Sequence, residues 1–116
     1  MSVEEHQAAL RAFAHARDWE QFHTPRNLAL ALVGEVGEVA ELLQWTSDST
    51  VSSWLEEPDN RETLGLELAD VFSYLLRLSD VCGIDLDAAL IQKMTINEQR
   101  YPAALAIGSS KKYDRL

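Results

Sequence analysis

The stretch PRNLALALVGEVGEVAELLQ, residues 25–44, decides how this chain folds. Its apolar residues recur every three or four positions, which is the period of an amphipathic α-helix. Thr24 followed by Pro25 predicts an N-cap and a first-turn proline, so we expect a helix from Pro25 to about Gln44. The helical period continues on both sides of this stretch, and no segment alternates convincingly like a strand. The sequence therefore predicts an all-α fold.

Three more helices are predicted by their capping and terminating residues. Ser2, with Glu5 three residues later, is typical of a capping box, and Asp85 is a second N-cap. Gly83 is typical of a helix C-terminus, and Pro102 ends the last helix. Residues 46–60 are predicted to connect helices with one turn around Trp54-Leu55, and residues 103–116 to form a tail. The predicted helices are Ser2 to Arg17, Pro25 to about Gln44, about Arg61 to Cys82, and Leu86 to about Arg100.

Composition and charge limit what the protein can do. The 116 residues suffice for one domain, 1–116, and 10 Lys+Arg against 19 Asp+Glu give a net charge of −9. That charge argues against a partner of nucleic acid polymers. The longest apolar run, residues 28–33, is far shorter than the roughly 20 residues that cross a bilayer. Glu4 and Glu5 do not resemble a signal peptide, and the single Cys82 fits a reducing compartment, so we expect a cytoplasmic protein.

Two pairs of acids stand out on the second and third predicted helices. At about 100° per residue, Glu35 and Glu38 lie beside the apolar stripe of one helix, and Glu67 and Asp70 lie at the same offset on the other. If the two helices pack antiparallel, four carboxylates could point at one place. Oxygen ligands without histidine or cysteine favour Mg²⁺, or Mn²⁺, over softer metals.

The alternative is an ordinary solvated face, because glutamate is a good helix former and acids three residues apart are common. Gly34 and Gly37 argue against it, since each costs roughly 1 kcal/mol inside a helix and suits a close approach of backbone or ligand. Like charges at this spacing also repel each other unless a cation is bound. From the residues alone, a metal site and a solvated face remain about equally supported.

Four segments together resemble a known family. They are Arg17 to Leu28, Gly34 to Trp45, Glu67 to Leu76, and Lys93 to Pro102. Over roughly residues 6–114 the chain resembles the MazG-like all-α nucleoside triphosphate pyrophosphohydrolases, and within them the dCTP pyrophosphatase subgroup. The resemblance implies a four-helix bundle and cleavage of a nucleoside triphosphate, most often dCTP or a 5-modified dCTP, into the monophosphate and pyrophosphate.

The resemblance also implies roles for single residues. Glu35, Glu38, Glu67 and Asp70 match the family's Mg²⁺ ligands, and either Glu38 or Glu41 could take the proton from the attacking water. Further positions match the nucleotide pocket of the subgroup. They are Trp19, Glu20, Gln21, Phe22, His23, Trp45 and Tyr74.

Each of these positions also has a simpler interpretation. Trp19 and Phe22 could be hydrophobic anchors, and His23 could help to cap the following helix. Lys93, Asn97 and Arg100 share one face of the fourth helix, where they could contact phosphates or form a solvated basic face. The amide that reads the base is expected to be Gln21 or Asn97.

Assembly is the last expectation. The predicted helices bury too little apolar surface to shield a nucleotide pocket, and the resemblance implies pairing of bundles, so we expect a homotetramer built as a dimer of dimers. The rival interpretations are a MazG-like enzyme with another base specificity and a non-enzymatic helical interaction module. A ferritin-like di-metal bundle is disfavoured, because no histidine stands three residues after a glutamate in the helices concerned.

Overall fold

The computed structural model describes residues 1–116 and contains helices, turns and loops but no strand. Two single turns of 3-10 helix lie at Glu20–Phe22 and Tyr113–Arg115. The six α-helices are α1 Val3–Ala16, α2 Pro25–Leu43, α3 Val51–Glu56, α4 Pro58–Val81, α5 Leu86–Arg100 and α6 Ala103–Ala106. The predicted all-α fold is confirmed.

The predicted caps account for most of the helix ends. Ser2, Thr24 and Asp85 each accept a hydrogen bond from the backbone N–H three residues further on, at 3.0–3.2 Å, and so satisfy a donor that the first turn leaves unpaired. Gly83 has a φ of 67° just after the end of α4. Glycine adopts this left-handed backbone at no steric cost, so the helix ends where the sequence predicts.

Three segments differ from the prediction. α4 begins at Pro58 rather than near Arg61, because Glu57 is extended and the proline takes the first helical position. The connection between α2 and α4 contains a full short helix, α3, rather than a single turn. The predicted tail also contains α6 and the second 3-10 turn.

The chain groups into two compact units, Met1–Gly83 and Ile84–Leu116, so the expectation of a single domain stays a prediction. In the first unit, α4 packs against α1, α2 and α3. His23 just before α2 contacts Arg77 near the end of α4, and the acid pairs meet midway along both helices, so α2 and α4 run antiparallel. In the second unit, the Arg100 guanidinium lies 4.6 Å from the ring centre of Tyr113.

The fully buried apolar core is small and lies in the first unit. Ala14, Leu28 and Leu76 are each 1% exposed, and they come from α1, α2 and α4 respectively. Ser79 is buried beside them with its hydrogen bonds satisfied, because its hydroxyl donates to the Leu76 carbonyl at 2.9 Å and accepts from the Gln7 amide at 3.0 Å. The core therefore joins three helices through few side chains.

Much of the apolar surface on α2 and α4 remains exposed. Several large apolar residues of the two stripes are 38–69% exposed within this chain. They are Val33, Val36, Leu68, Phe72 and Leu75. The helical wheel locates an apolar arc but not what covers it, and the observed exposure agrees with the expectation that the helices bury little apolar surface on their own. None of the helices combines the length and the apolar character needed to cross a bilayer.

Candidate active site

Four carboxylates from α2 and α4 form one cluster. Glu35, Glu38, Glu67 and Asp70 each place an oxygen within 4.8 Å of the oxygens of the other three. Each helix supplies a pair three residues apart, and the antiparallel packing brings the two pairs together across the interface. The geometry that the spacing predicts is therefore present.

The cluster is electrostatically unfavourable as it stands. Burial, followed by the charges of Glu38 and Asp70, raises the pKa of Glu35, and a hydrogen bond shared with Glu38, followed by burial, raises the pKa of Glu67. One carboxylate oxygen of Glu35 and one of Glu67 are buried without a hydrogen-bond partner. Buried polar atoms normally have a partner, so these two oxygens fit the ligand set of a hard divalent cation.

Gly34 and Gly37 have open space where a side chain would begin. No atom outside their own helix lies within 4 Å of an added Cβ at either position. A close approach within this chain therefore does not explain why α2 contains two glycines, and that part of the sequence argument is not supported by the contacts.

A cavity of about 200 Å³ adjoins the cluster. Glu35 and Asp70 belong to both the cluster and the cavity wall, so the two features share carboxylates. The rest of the wall is mostly aromatic and apolar, with a few polar groups. It consists of Leu10, Phe13, Ala14, Trp19, His23, Ser73, Tyr74 and Arg77. Such a cavity suits a small aromatic ring with one polar edge.

The turn after α1 positions Trp19 in this wall. Asp18 has a φ of 54°, and the Trp19 backbone N–H donates back to the Ala14 carbonyl at 3.0 Å. The Trp19 ring then meets Phe13 edge-on at 5.7 Å and His23 at 6.3 Å between ring centres. Edge-to-face packing of this kind orients the indole, so Trp19 is both an anchor and a cavity wall.

His23 is linked to α4 by Arg77. The Nε of Arg77 donates to the Nδ1 of His23 at 3.0 Å, and its Nη1 donates to Asp80 at 3.4 Å. Asp80 also accepts two hydrogen bonds from Arg11, at 2.8 and 2.9 Å. Burial, followed by the charge of Arg77, lowers the pKa of His23, whereas the hydrogen bond from Arg11 lowers the pKa of Asp80.

Four other residues predicted for the pocket do not line this cavity. Glu20 contacts His15 at 2.6 Å, and Gln21 donates to the carbonyl and carboxylate of Asp18 at 3.0 Å. Phe22 is exposed, and Trp45 is 88% exposed at the end of α2. Of the seven predicted positions in this set, the cavity brings together Trp19, His23 and Tyr74.

The remaining predicted residues lie elsewhere. Glu41 is exposed on α2, one turn beyond Glu38, and does not belong to the four-acid cluster. Lys93, Asn97 and Arg100 lie on α5 in the second unit, and their roles stay predictions.

Five residues that were not predicted for the site line the cavity. Leu10, Phe13 and Ala14 come from α1, and Ser73 and Arg77 come from α4. A signal for Arg77 was present, because at about 100° per residue it lies within about 20° of Asp70 on the helical wheel.

Comparison with known proteins identifies the family of this chain. The model of the MazG-like family matches residues 31–116, and the chain therefore belongs to the MazG-like family. The chain is 55% identical over 104 residues to the human and rat proteins named dCTP pyrophosphatase 1, and 51% identical over 104 residues to the bovine one. The match covers 90% of this chain but only 61% of the human and rat proteins, so the chain spans about three fifths of their length.

A solved structure is also similar. A pyrophosphatase from Archaeoglobus fulgidus is 41% identical, with a TM-score of 0.80, and the match covers 85% of this chain and 91% of that one. The resemblance on which the sequence argument relied is thus confirmed at the level of family and fold.

Proposed function

We propose that this chain hydrolyses a nucleoside triphosphate, dCTP or a 5-substituted dCTP, to the monophosphate and pyrophosphate. One observation carries the proposal: Glu35 and Asp70 belong to both the acid cluster and the wall of the aromatic cavity. A base held in the cavity would place its phosphates toward the cluster. The names of the 55% identical relatives support dCTP as the substrate.

The proposed cofactor is Mg²⁺, with Mn²⁺ as an alternative. Glu35, Glu38, Glu67 and Asp70 would hold it, and their two unpartnered buried oxygens support this assignment. When bound, such an ion neutralises phosphate charge and increases the acidity of a coordinated water. A cation of this kind would also explain how a protein with a net charge of −9 binds a polyanion.

Other roles in binding the substrate and activating the water would belong to side chains of this chain. Trp19 would stack on the base, since base–aromatic stacking contributes about 1–3 kcal/mol. Glu38 is the better supported general base, because it belongs to the cluster, whereas Glu41 lies one turn away from it. Lys93, Asn97 and Arg100 are proposed to contact phosphates from α5.

The proposed assembly is a homotetramer, a dimer of dimers. The exposed apolar residues of α2 and α4 support it, because a monomer rarely leaves such a surface uncovered. Size-exclusion chromatography with light scattering checks this, and a stable monomer at micromolar concentration would refute it. We also propose a cytoplasmic location, supported by the exposed free Cys82.

The function is tested by measuring pyrophosphate release from canonical and 5-substituted triphosphates with and without Mg²⁺. We expect kcat/KM for dCTP to exceed that for dTTP and dUTP at least tenfold, because an unpaired polar group costs roughly 1–3 kcal/mol. Equal rates with dCTP, dUTP and dATP would refute the dCTP specificity. They would still agree with a nucleoside triphosphate pyrophosphohydrolase of broader specificity. Absence of any hydrolysis and of any Mg²⁺ binding would favour the interaction module.

A further inference from the structure

We propose that Arg77 is a positioning residue that holds His23 as the Nε2–H tautomer, so that the cavity selects a base whose ring nitrogen accepts a hydrogen bond, as N3 of cytosine does. The proposal deepens the proposed function and rests on it for the substrate. Its starting point is a side chain that the predicted site did not include.

The hydrogen bond between Arg77 and His23 fixes the proton on the imidazole. A guanidinium has donors and no acceptor, so at 3.0 Å from the Arg77 Nε the Nδ1 of His23 must accept. A neutral ring that accepts at Nδ1 has its proton on Nε2. The lowered pKa of His23 agrees with a neutral ring, and no other hydrogen bond in the chain occupies it.

Arg77 is itself held by hydrogen bonds through two of its nitrogens, and its third nitrogen is free. It is 8% exposed, and its Nη1 donates to Asp80, which Arg11 holds with two further hydrogen bonds. Its Nη2 has no hydrogen-bond partner within the chain, and Arg77 and His23 both line the cavity. This nitrogen is not among the buried unpartnered atoms and is open to solvent, so a ligand that replaces solvent in the cavity can accept its hydrogen bond.

Two donors in one wall distinguish the pyrimidines. Cytosine has adjacent acceptors at O2 and N3, which would accept hydrogen bonds from the Nε2–H of His23 and the Nη2–H of Arg77 in the proposed complex. Uracil and thymine have an N–H at position 3. That N–H would face a donor of the cavity wall, so neither of these two donors would have an acceptor. The expected discrimination is about tenfold or more in kcat/KM.

The tautomer is tested without substrate by recording the ¹⁵N and ¹H correlations of the histidine rings in the full chain at neutral pH. We expect His23 to show a protonated Nε2 and an unprotonated Nδ1, and Arg77→Met to change that pattern. Arg61→Met is the matched control, because Arg61 is an exposed arginine of the same helix and lies outside the Arg11–Asp80–Arg77–His23 network. A protonated Nδ1 in the unmodified chain would overturn the proposal, whichever variants fold.

The selectivity is tested by the ratio of kcat/KM for dCTP to that for dUTP. Arg77→Met should bring the ratio down about tenfold or more toward unity, and Arg77→Lys should also lower it because lysine lacks the paired donors. Arg61→Met should leave the ratio near that of the unmodified chain. An unchanged ratio in both Arg77 variants would refute the role of Arg77 in selection. If the unmodified chain hydrolyses neither nucleotide, the proposed function fails, and the histidine spectrum still decides the tautomer.

Discussion

Replacing Glu38 by glutamine should separate the metal site from the stability of the fold. Glu38 is exposed and lies within 4.8 Å of the other three acids, so its charge repels theirs in the metal-free protein. The glutamine keeps the shape and removes the charge. We therefore expect the metal-free variant to melt at the same temperature as the unmodified protein or higher, because less like charge is concentrated in one place.

In contrast, Mg²⁺ should stabilise the Glu38→Gln variant less than the unmodified protein. At about 100 times the dissociation constant, binding to the folded chain adds about 2.7 kcal/mol to the free energy of unfolding, or roughly 10 °C in Tm. Losing one partner of a close charge pair costs about 2–5 kcal/mol, which weakens binding about 30-fold or more and leaves a shift of roughly 3 °C or less.

The assay is thermal melting by circular dichroism over a Mg²⁺ titration. Glu41→Gln is the control, since it removes the same charge from the same helix outside the cluster and should keep the full shift. A Glu38→Gln variant that Mg²⁺ stabilises as much as the unmodified protein would show that this carboxylate is not a ligand.

Three further outcomes follow from the contacts described. Leu76→Ala should lower the free energy of unfolding by about 2–5 kcal/mol in urea titrations, because it leaves a cavity at a site that is 1% exposed; a loss below 0.5 kcal/mol would contradict the assigned core. Arg11→Met should lower the melting temperature slightly above pH 3.8, and the difference should vanish as the pH falls through the lowered pKa of Asp80; a difference that persists in acid would exclude this ion pair as its cause. Because the pKa of His23 is lowered, its contribution is complete above pH 6.5 and declines below it, so His23→Asn should lose less stability than the unmodified protein between pH 7.5 and 5.5; equal losses would contradict the lowered pKa.

The sequence was most informative where a local rule applies. The start of α2 at Pro25 and the end of α4 before Gly83 follow from the conformational limits of single residues, which do not depend on the rest of the fold. The four acids were found for a related reason. Their angular positions on each helix are local, and the apolar stripes specify which faces of the helices meet.

The cavity wall depended on contacts between distant residues, and there the sequence was less informative. Arg77 and His23 are 54 positions apart, and neither helical period nor composition indicates that they form a hydrogen bond. Trp45 lies two residues beyond the end of α2, where the helical period no longer determines the direction of its side chain, and it is 88% exposed. A helical wheel gives the direction of a side chain around the helix axis. The wall of a cavity also depends on the position of each side chain along that axis.

The acid cluster also depends on how accurately α2 and α4 are aligned along their axes. One helical turn advances about 5.4 Å, and one residue rotates a side chain by about 100°. All four acids meet within 4.8 Å, which is less than the advance of a single turn. A slip of α2 along α4 by one turn could still bury apolar side chains, but it would disperse the carboxylates. An ion held by both helices would therefore stabilise one helix register among several that hydrophobic packing alone would allow.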